Sequence, residues 1–317
     1  MSNISLRPMI AGLLLAGAVI SLSACQSKES AEAGSAADVA QTTQTTAKTA
    51  SSGDMPQSGS LAAILAAQPA AVQARYAARH PAETLDFFGI EPGMNVLEAL
   101  PGGGWYTKIL VPYLGSEGML VGVDYDQALF PLFGFMSAEQ LKAKETWVDT
   151  WLADARSWFN KPVASIDAFQ FGALPERFEG ELDAALFIRA LHNMARFEEE
   201  GGFLTASLMD TKAALKPGGI VGVVQHMAPE DAADDWADGS AGYLKKSFVI
   251  GEFEAAGFEF VGESDINVNP MDQPTGDDIV WRLPPTLSGS ADDPQRAAEM
   301  SAIGESSRMT LLFRKPE

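Results

Sequence analysis

Only one cysteine, Cys25, occurs in the 317 residues. A chain without a second thiol can form no internal disulfide, so the fold must hold by its core alone. Histidine is nearly as scarce. None of His80, His192 and His226 stands at a metal-ligand spacing from other donors, so no metal site is expected. Basic residues are short as well: 22 Lys and Arg face 42 Asp and Glu, a net charge of -20. A phosphate backbone would be repelled by such a chain, which excludes nucleic acid as the expected partner and leaves solubility as the plain role of the surplus acid. No repeat of solenoid type is visible. The apolar run from Met9 to Leu22 is too short to span a bilayer comfortably as a permanent helix.

That run has a different meaning. Arg7 is the only charge before Cys25, and the run ends in Leu22-Ser23-Ala24-Cys25, with small residues just before the thiol. The pattern resembles a bacterial lipoprotein signal. Residues 1–24 would be removed and Cys25 acylated, anchoring the chain to a lipid bilayer. Gln26, where Asp would suggest inner-membrane retention, favours the outer membrane facing the periplasm. Residues 25–60 are Ala, Ser, Thr, Gln, Gly and Glu with almost nothing large and apolar. Such a segment cannot offset its ordering entropy and reads as a tether. Residues 61–317 are of one-domain size.

The most informative stretch is Asn95-Val96-Leu97-Glu98-Ala99-Leu100-Pro101-Gly102-Gly103-Gly104-Trp105-Tyr106-Thr107. A short apolar strand carries an acid, meets a Gly-rich turn and runs into a helix over 105–114. A second strand, 119–124, ends on Asp124. Glycines let backbone amides approach a ligand, and an acid closing the next strand can accept hydrogen bonds from ribose hydroxyls. Helical periodicity covers 61–88, and a mostly helical, aromatic-rich stretch follows over 126–159. Strands are expected at 163–169, 182–188, 220–225, 258–268 and 309–313, with helices at 197–215 and 247–256. A long Pro/Asp/Gly-rich loop precedes the last strand. This alternation predicts a mostly parallel sheet covered on both faces.

Four stretches in order carry a family resemblance: Arg79-His80-Pro81-Ala82-Glu83-Thr84-Leu85, the turn Pro101–Thr107, Asp167-Ala168 with Leu174-Pro175 and Leu182-Asp183-Ala184, and Leu215-Lys216-Pro217-Gly218-Gly219. The chain resembles class I S-adenosylmethionine-dependent methyltransferases, and more narrowly exported bacterial proteins of that type. The resemblance implies a Rossmann-like α/β fold whose seven strands run 3-2-1-4-5-7-6, with strand seven antiparallel and ligands at the carboxyl edge. It implies S-adenosylmethionine as cofactor, held by Glu98, Pro101, Gly102, Gly103, Gly104 and Asp124, with Asp126 as fallback for the ribose and Asp167 at the position that receives the adenine amino group. Leu100 departs from the family pattern by replacing the first glycine.

His192 and His226 fall just past strands four and five, on the ligand edge. They are candidates for general base toward an acceptor, and equally for polar residues satisfied at strand ends. His80 suits a helix junction. The aromatic residues of 126–159 suit either a small, apolar acceptor pocket or plain helix packing. Two functions stay open: methyl transfer to a small acceptor in the cell envelope, or a non-catalytic envelope binding protein that keeps the scaffold. Export away from the cytoplasmic cofactor and Leu100 favour the second. A dinucleotide dehydrogenase is weaker, because Gly102-Gly103-Gly104 lacks the separated glycines of that fingerprint.

Overall fold

The computed structural model describes residues 59–160 and 164–317. The expected signal, Cys25 and the tether up to residue 58 lie outside the described residues. Eight strands are present among those described: β1 (Asn95–Ala99), β2 (Met119–Asp124), β3 (Ser165–Gln170), β4 (Leu182–Ile188), β5 (Leu215–Ala228), β6 (Leu244–Lys245), β7 (Glu259–Ser264) and β8 (Arg308–Arg314). Their order is β3-β2-β1-β4-β5-β8-β7. Strands β1 to β5 run parallel, and β8 lies antiparallel between β5 and β7. The expected order with an antiparallel last strand is therefore what the chain adopts. The short β6 is an addition, pairing only with the end of β5.

The sheet is covered on both faces because its central strands are apolar on both. Val96, Leu120, Ala184 and Leu186 join one core, while Leu97, Val121, Ala185 and Phe187 join the other. Successive strand residues point to opposite faces, so one run of sequence feeds two cores. The helices are α1 (Leu61–Ala66), α2 (Ala70–Gln73), α3 (Tyr76–Arg79), α4 (Pro81–Phe87), α5 (Thr107–Leu114), α6 (Ala138–Glu145), α7 (Trp147–Ser157), α8 (His192–Arg196), α9 (Glu198–Gly201), α10 (Phe203–Ala214), α11 (Lys246–Ala255) and α12 (Pro294–Ile303). Helices α5 and α7 pack on the Val96 face, and α10 and α11 on the other.

Several boundaries differ from expectation. The periodic stretch 61–88 is four short helices: Pro69 precedes α2, Pro81 opens α4, and the chain also breaks at Ala74–Arg75 between α2 and α3. His80 joins α3 to α4 in the left-handed region at φ 40°, and its side chain makes no cap. The expected helix over 197–215 is broken into α9 and α10, with Gly202 left-handed between them, and the short α8 precedes it. The loop before β8 contains α12, started by Asp293, whose carboxylate accepts from the Arg296 amide at 2.9 Å, and by Pro294 at the first turn. The remainder of that loop closes over the carboxyl ends of β4 and β5. Asn267 donates to both Thr84 Oγ1 and Thr310 Oγ1 at 3.0 Å, and the buried Asp272 accepts from Arg282, Tyr243 and the Ser307 amide.

Candidate functional site

The carboxyl edge of the sheet gathers most of the expected residues. Leu100 follows β1 at φ 54° and Arg189 follows β4 at φ 60°. Large side chains rarely adopt this left-handed conformation, so two adjacent strands leave the sheet under strain at the same edge. Backbone bonds hold both exits: the Leu100 amide donates to Val123 O at 2.7 Å and the Arg189 amide to Val224 O at 2.6 Å.

The Gly-rich turn divides into two roles. Gly102 and Gly103 are exposed, and a Cβ at Gly103 would meet nothing within 4 Å. Gly104, at φ +77°, is pressed against Trp158, whose ring would stand 2.1 Å from a Cβ there. Two glycines thus keep the backbone open, and the third makes room for an indole. Pro101 is buried, and its carbonyl accepts from the Gly104 amide at 2.9 Å, closing the turn. Trp151 donates from Nε1 to the Gly102 carbonyl at 3.3 Å and lies against Gly122 of β2. The tryptophans of α7 therefore buttress the turn from the helix side of the sheet. For Trp151 and Trp158 this is the helix-packing alternative of the two readings of 126–159.

Glu98 sits beneath the first turn of α5. Thr107 Oγ1 donates to Glu98 Oε2 at 2.6 Å. Burial pushes the carboxyl up to about 7, against the lowering effect of the hydroxyl and backbone bonds from Thr107. Its place is in the joint between strand and helix, where it holds the turn that carries the glycines.

Asp124 closes β2, one residue beyond the Ala99–Val123 pairing with β1. It is buried, and its two oxygens are engaged. Oδ1 accepts from the Tyr125 amide at 2.9 Å, and Oδ2 accepts from Lys144 Nζ at 2.8 Å. Lys144 belongs to α6, a helix without a buried residue, and its ammonium also stands 4.5 Å from the Phe130 ring centroid. Asp126 turns away to accept from the Ala128 amide at 2.7 Å. Asp167 is not at this edge. It pairs with Val121 in the middle of β3, and Arg177 holds its Oδ2 at 3.0 Å. The residue opposite Asp124 is Gln170, whose amide nitrogen donates to Gln127 Oε1 at 3.2 Å. Sequence reading passed over Gln170 because Asp167-Ala168 drew the alignment three residues too early.

His192 and His226 do meet. Both are buried, with ring centroids 5.8 Å apart, and the Trp281 ring is 5.8 Å from His192. His226 Nδ1 lies 2.6 Å from Ser306 Oγ. Burial first, then the neighbouring His192 imidazole and the guanidiniums of Arg189, Arg308 and Arg79, hold its imidazole well below the ordinary value, so the ring is neutral. A neutral imidazole can take a proton or accept a hydrogen bond at this edge.

Beside the histidines lies a cluster that the sequence did not announce. Glu305 binds Arg75 at 2.7 Å, Arg79 at 3.2 Å and Arg308 at 3.5 Å. Arg79 also stacks over Trp105 at 4.8 Å, which ties the cluster to the helix end of the Gly-rich turn. Among the described residues no group of three or more His, Cys, Asp or Glu is placed to hold a metal ion.

No protein-family model and no curated protein matches the chain. Solved structures similar to it include the cyclase SpnF, at 18% identity over 75% of this chain and 81% of that one, with a TM-score of 0.47. A complex of the Haloferax volcanii Trm112 methyltransferase activator with a methyltransferase matches at 15% identity over 81% and 98%, with a TM-score of 0.47. The 1,6-didemethyltoxoflavin-N1-methyltransferase of Burkholderia thailandensis, solved with S-adenosylhomocysteine, matches at 15% identity over 84% and 94%, with a TM-score of 0.41. These likenesses concern chain course alone. The Rossmann-like α/β assignment stands on the strand order, the parallel register of β1 to β5 and the antiparallel β8.

Proposed function

We propose that the protein is an S-adenosylmethionine-dependent methyltransferase acting on a small acceptor. One observation carries this reading: an open Gly-rich turn after β1 and a carboxylate closing the neighbouring β2 stand side by side on the carboxyl edge of a sheet with this strand order. The residues fit the cofactor on one condition. Gly102 and Gly103 leave backbone space where a side chain would intrude, and Asp124 is placed for ribose hydroxyls. Lys144 occupies that carboxylate and must withdraw, which an exposed helix can allow.

Gly102, Gly103 and Asp124 would hold the cofactor, and Glu98 would fix the turn without touching it. Bound S-adenosylmethionine would supply a methyl group already activated on sulfur. The chain's own task is then to orient the acceptor and, where its nucleophile carries a proton, to accept that proton. His226 would be the group to accept it, a neutral imidazole bonded to Ser306, and the burial and cations that lower its basicity would suit it to an acceptor whose proton is already acidic. Export and acylation at Cys25 would put the reaction in the cell envelope, facing the periplasm.

The test is calorimetric titration of the full chain with S-adenosylmethionine and S-adenosylhomocysteine. Binding that disappears in Asp124→Ala supports the reading, and unchanged affinity in that variant removes the ribose assignment. A second reading, a binding lipoprotein that keeps the scaffold, is favoured by the Lys144–Asp124 ion pair, which satisfies the carboxylate without any ligand. Absence of binding by either nucleoside would select it.

A further inference from the structure

One surface turn of this acidic chain carries no charge. Residues 127–138 hold no Asp, Glu, Lys or Arg, although 20% of the chain is charged, and half of these positions are Leu, Phe or Met. The fold divides the apolar side chains into two sets. Phe130 and Phe133 are buried, with ring centroids 5.8 and 5.9 Å from Tyr125. Leu132 and Phe135 stand outside, 37% and 48% exposed. Gly134, left-handed at φ 73°, turns the chain between them, and the Phe135 ring rests 5.4 Å from Phe133. The outer pair therefore sits on a base that the core holds in place. A single exposed Leu or Phe requires no explanation, but two on one anchored, uncharged turn mark a contact surface.

The partner follows from charge and from the chain ahead of the domain. Over residues 127–146, Glu139 and Glu145 balance Lys142 and Lys144, so this face is neutral while the whole chain carries -20. Such a face suits a neutral, apolar layer and gives nothing to an anionic one. Sequence expects Cys25 to be acylated, and residues 26–58 separate it from the first described residue. A segment of that length spans at most about 110–120 Å, so the anchor keeps the domain near a bilayer without choosing its face. Tethering also makes a second contact intramolecular, so a weak apolar contact suffices. The other exposed apolar pair, Phe260 and Val261 on β7, stands between the exposed Glu259 and Glu263, and lipid would have to strip water from both carboxylates.

We propose that the turn 130–136 is a bilayer-docking surface, with Leu132 and Phe135 seated at the boundary between headgroups and acyl chains of a neutral lipid layer. The proposal stands apart from the methyl-transfer reading. Phe133 packs on Tyr125, the neighbour of Asp124, so docking turns that end of the ligand edge toward the lipid.

Hydrogen exchange read by mass spectrometry tests it, with the full-length protein in solution and on phosphatidylcholine vesicles collected by flotation. The Phe135 and Met136 amides make no backbone hydrogen bond among the described residues, so their exchange reports cover from outside. The expected result is slower exchange over 127–138 on vesicles, with 259–264 unchanged. Leu132→Ser combined with Phe135→Ser should weaken docking of the turn about 30-fold and remove that slowing. Both side chains are exposed, so the thermal melt should match the wild type, and the anchor is common to both proteins. Exchange over 127–138 that vesicles leave unchanged, or a chain that does not float, overturns the proposal. Equal slowing in the folded double variant overturns it as well. Slowing only on phosphatidylglycerol, reversed by salt, assigns the contact to Lys142 and Lys144 and overturns apolar docking. Slowing without vesicles that grows with protein concentration gives the turn to a second copy of the chain and overturns the lipid assignment.

Discussion

Replacing Lys144 by Met should tighten S-adenosylhomocysteine binding. In the structure the Lys144 ammonium holds Asp124 at 2.8 Å, with the two side chains 12% and 8% exposed. A hydrogen bond to a charged group contributes about 1.5–3 kcal/mol. A ribose must break this pair before its hydroxyls reach the carboxylate, and it recovers only part of that energy. The net obstruction is about 1–2 kcal/mol, so its removal should lower Kd by roughly 5–30-fold. Methionine keeps the apolar stem beside Phe130 while deleting the charge. Without ligand the variant should be less stable, because Asp124 then keeps only the Tyr125 amide. Each kcal/mol lost should lower Tm by about 2–4 °C for a domain of this size. Paired titration calorimetry and thermal melts measure both effects. An affinity that is unchanged or weaker in Lys144→Met, alongside a lowered melting point, would refute the argument that Lys144 competes for the ribose position.

Glu98 gives a pH signature. Its carboxyl keeps its proton to about 7 in the folded state and loses it near 4.5 in the unfolded chain, so wild-type stability should fall as pH rises between those values, by about 3 kcal/mol in all. Glu98→Gln lacks this slope, and urea denaturation from pH 4.5 to 8 should show the variant gaining on the wild type; a constant difference contradicts the assignment. Gly104→Ala should cost about 2–4 kcal/mol from left-handed strain and collision with Trp158, whereas Gly103→Ala stays within about 0.5 kcal/mol, and equal losses in thermal melts would count against the two roles of the turn. Asp272→Asn leaves the buried Arg282 short of its partner and should cost about 3–5 kcal/mol in denaturant midpoint; a loss below about 1 kcal/mol means the loop is held by other contacts.

The sheet was legible because each of its signals is local. Apolar runs at 95–99, 119–124 and 182–188 are bounded by turns, and their alternation with helices leaves few topologies open. Helix α12 was missed because the Pro, Asp and Gly around it read as loop, although Asp293-Pro294 and the closing Gly304 are ordinary start and stop signals. The Gly-rich turn, Asp124 and the meeting of His192 with His226 follow from strand ends, which position in sequence reveals. Lys144 could not be found that way: it stands on a solvent-facing helix, and its reach to Asp124 depends on how that helix lies. The arginine cluster was invisible for a similar reason. Arg75 and Glu305 are 230 residues apart, and nothing local marks either as a partner. The apolar acceptor was expected from the anchor, the charge and the aromatic content of 126–159; of those rings Trp151 and Trp158 pack behind the turn, while Phe130 and Phe133 pack against Tyr125.

Glu305 stands between Arg75 and Arg79 of the amino-terminal helices and Arg308 at the start of β8. It therefore clasps the two ends of the described domain, and its loss would leave buried guanidiniums short of counter-charge at both ends together. The first helices and the last strand should then open as one unit rather than fray separately.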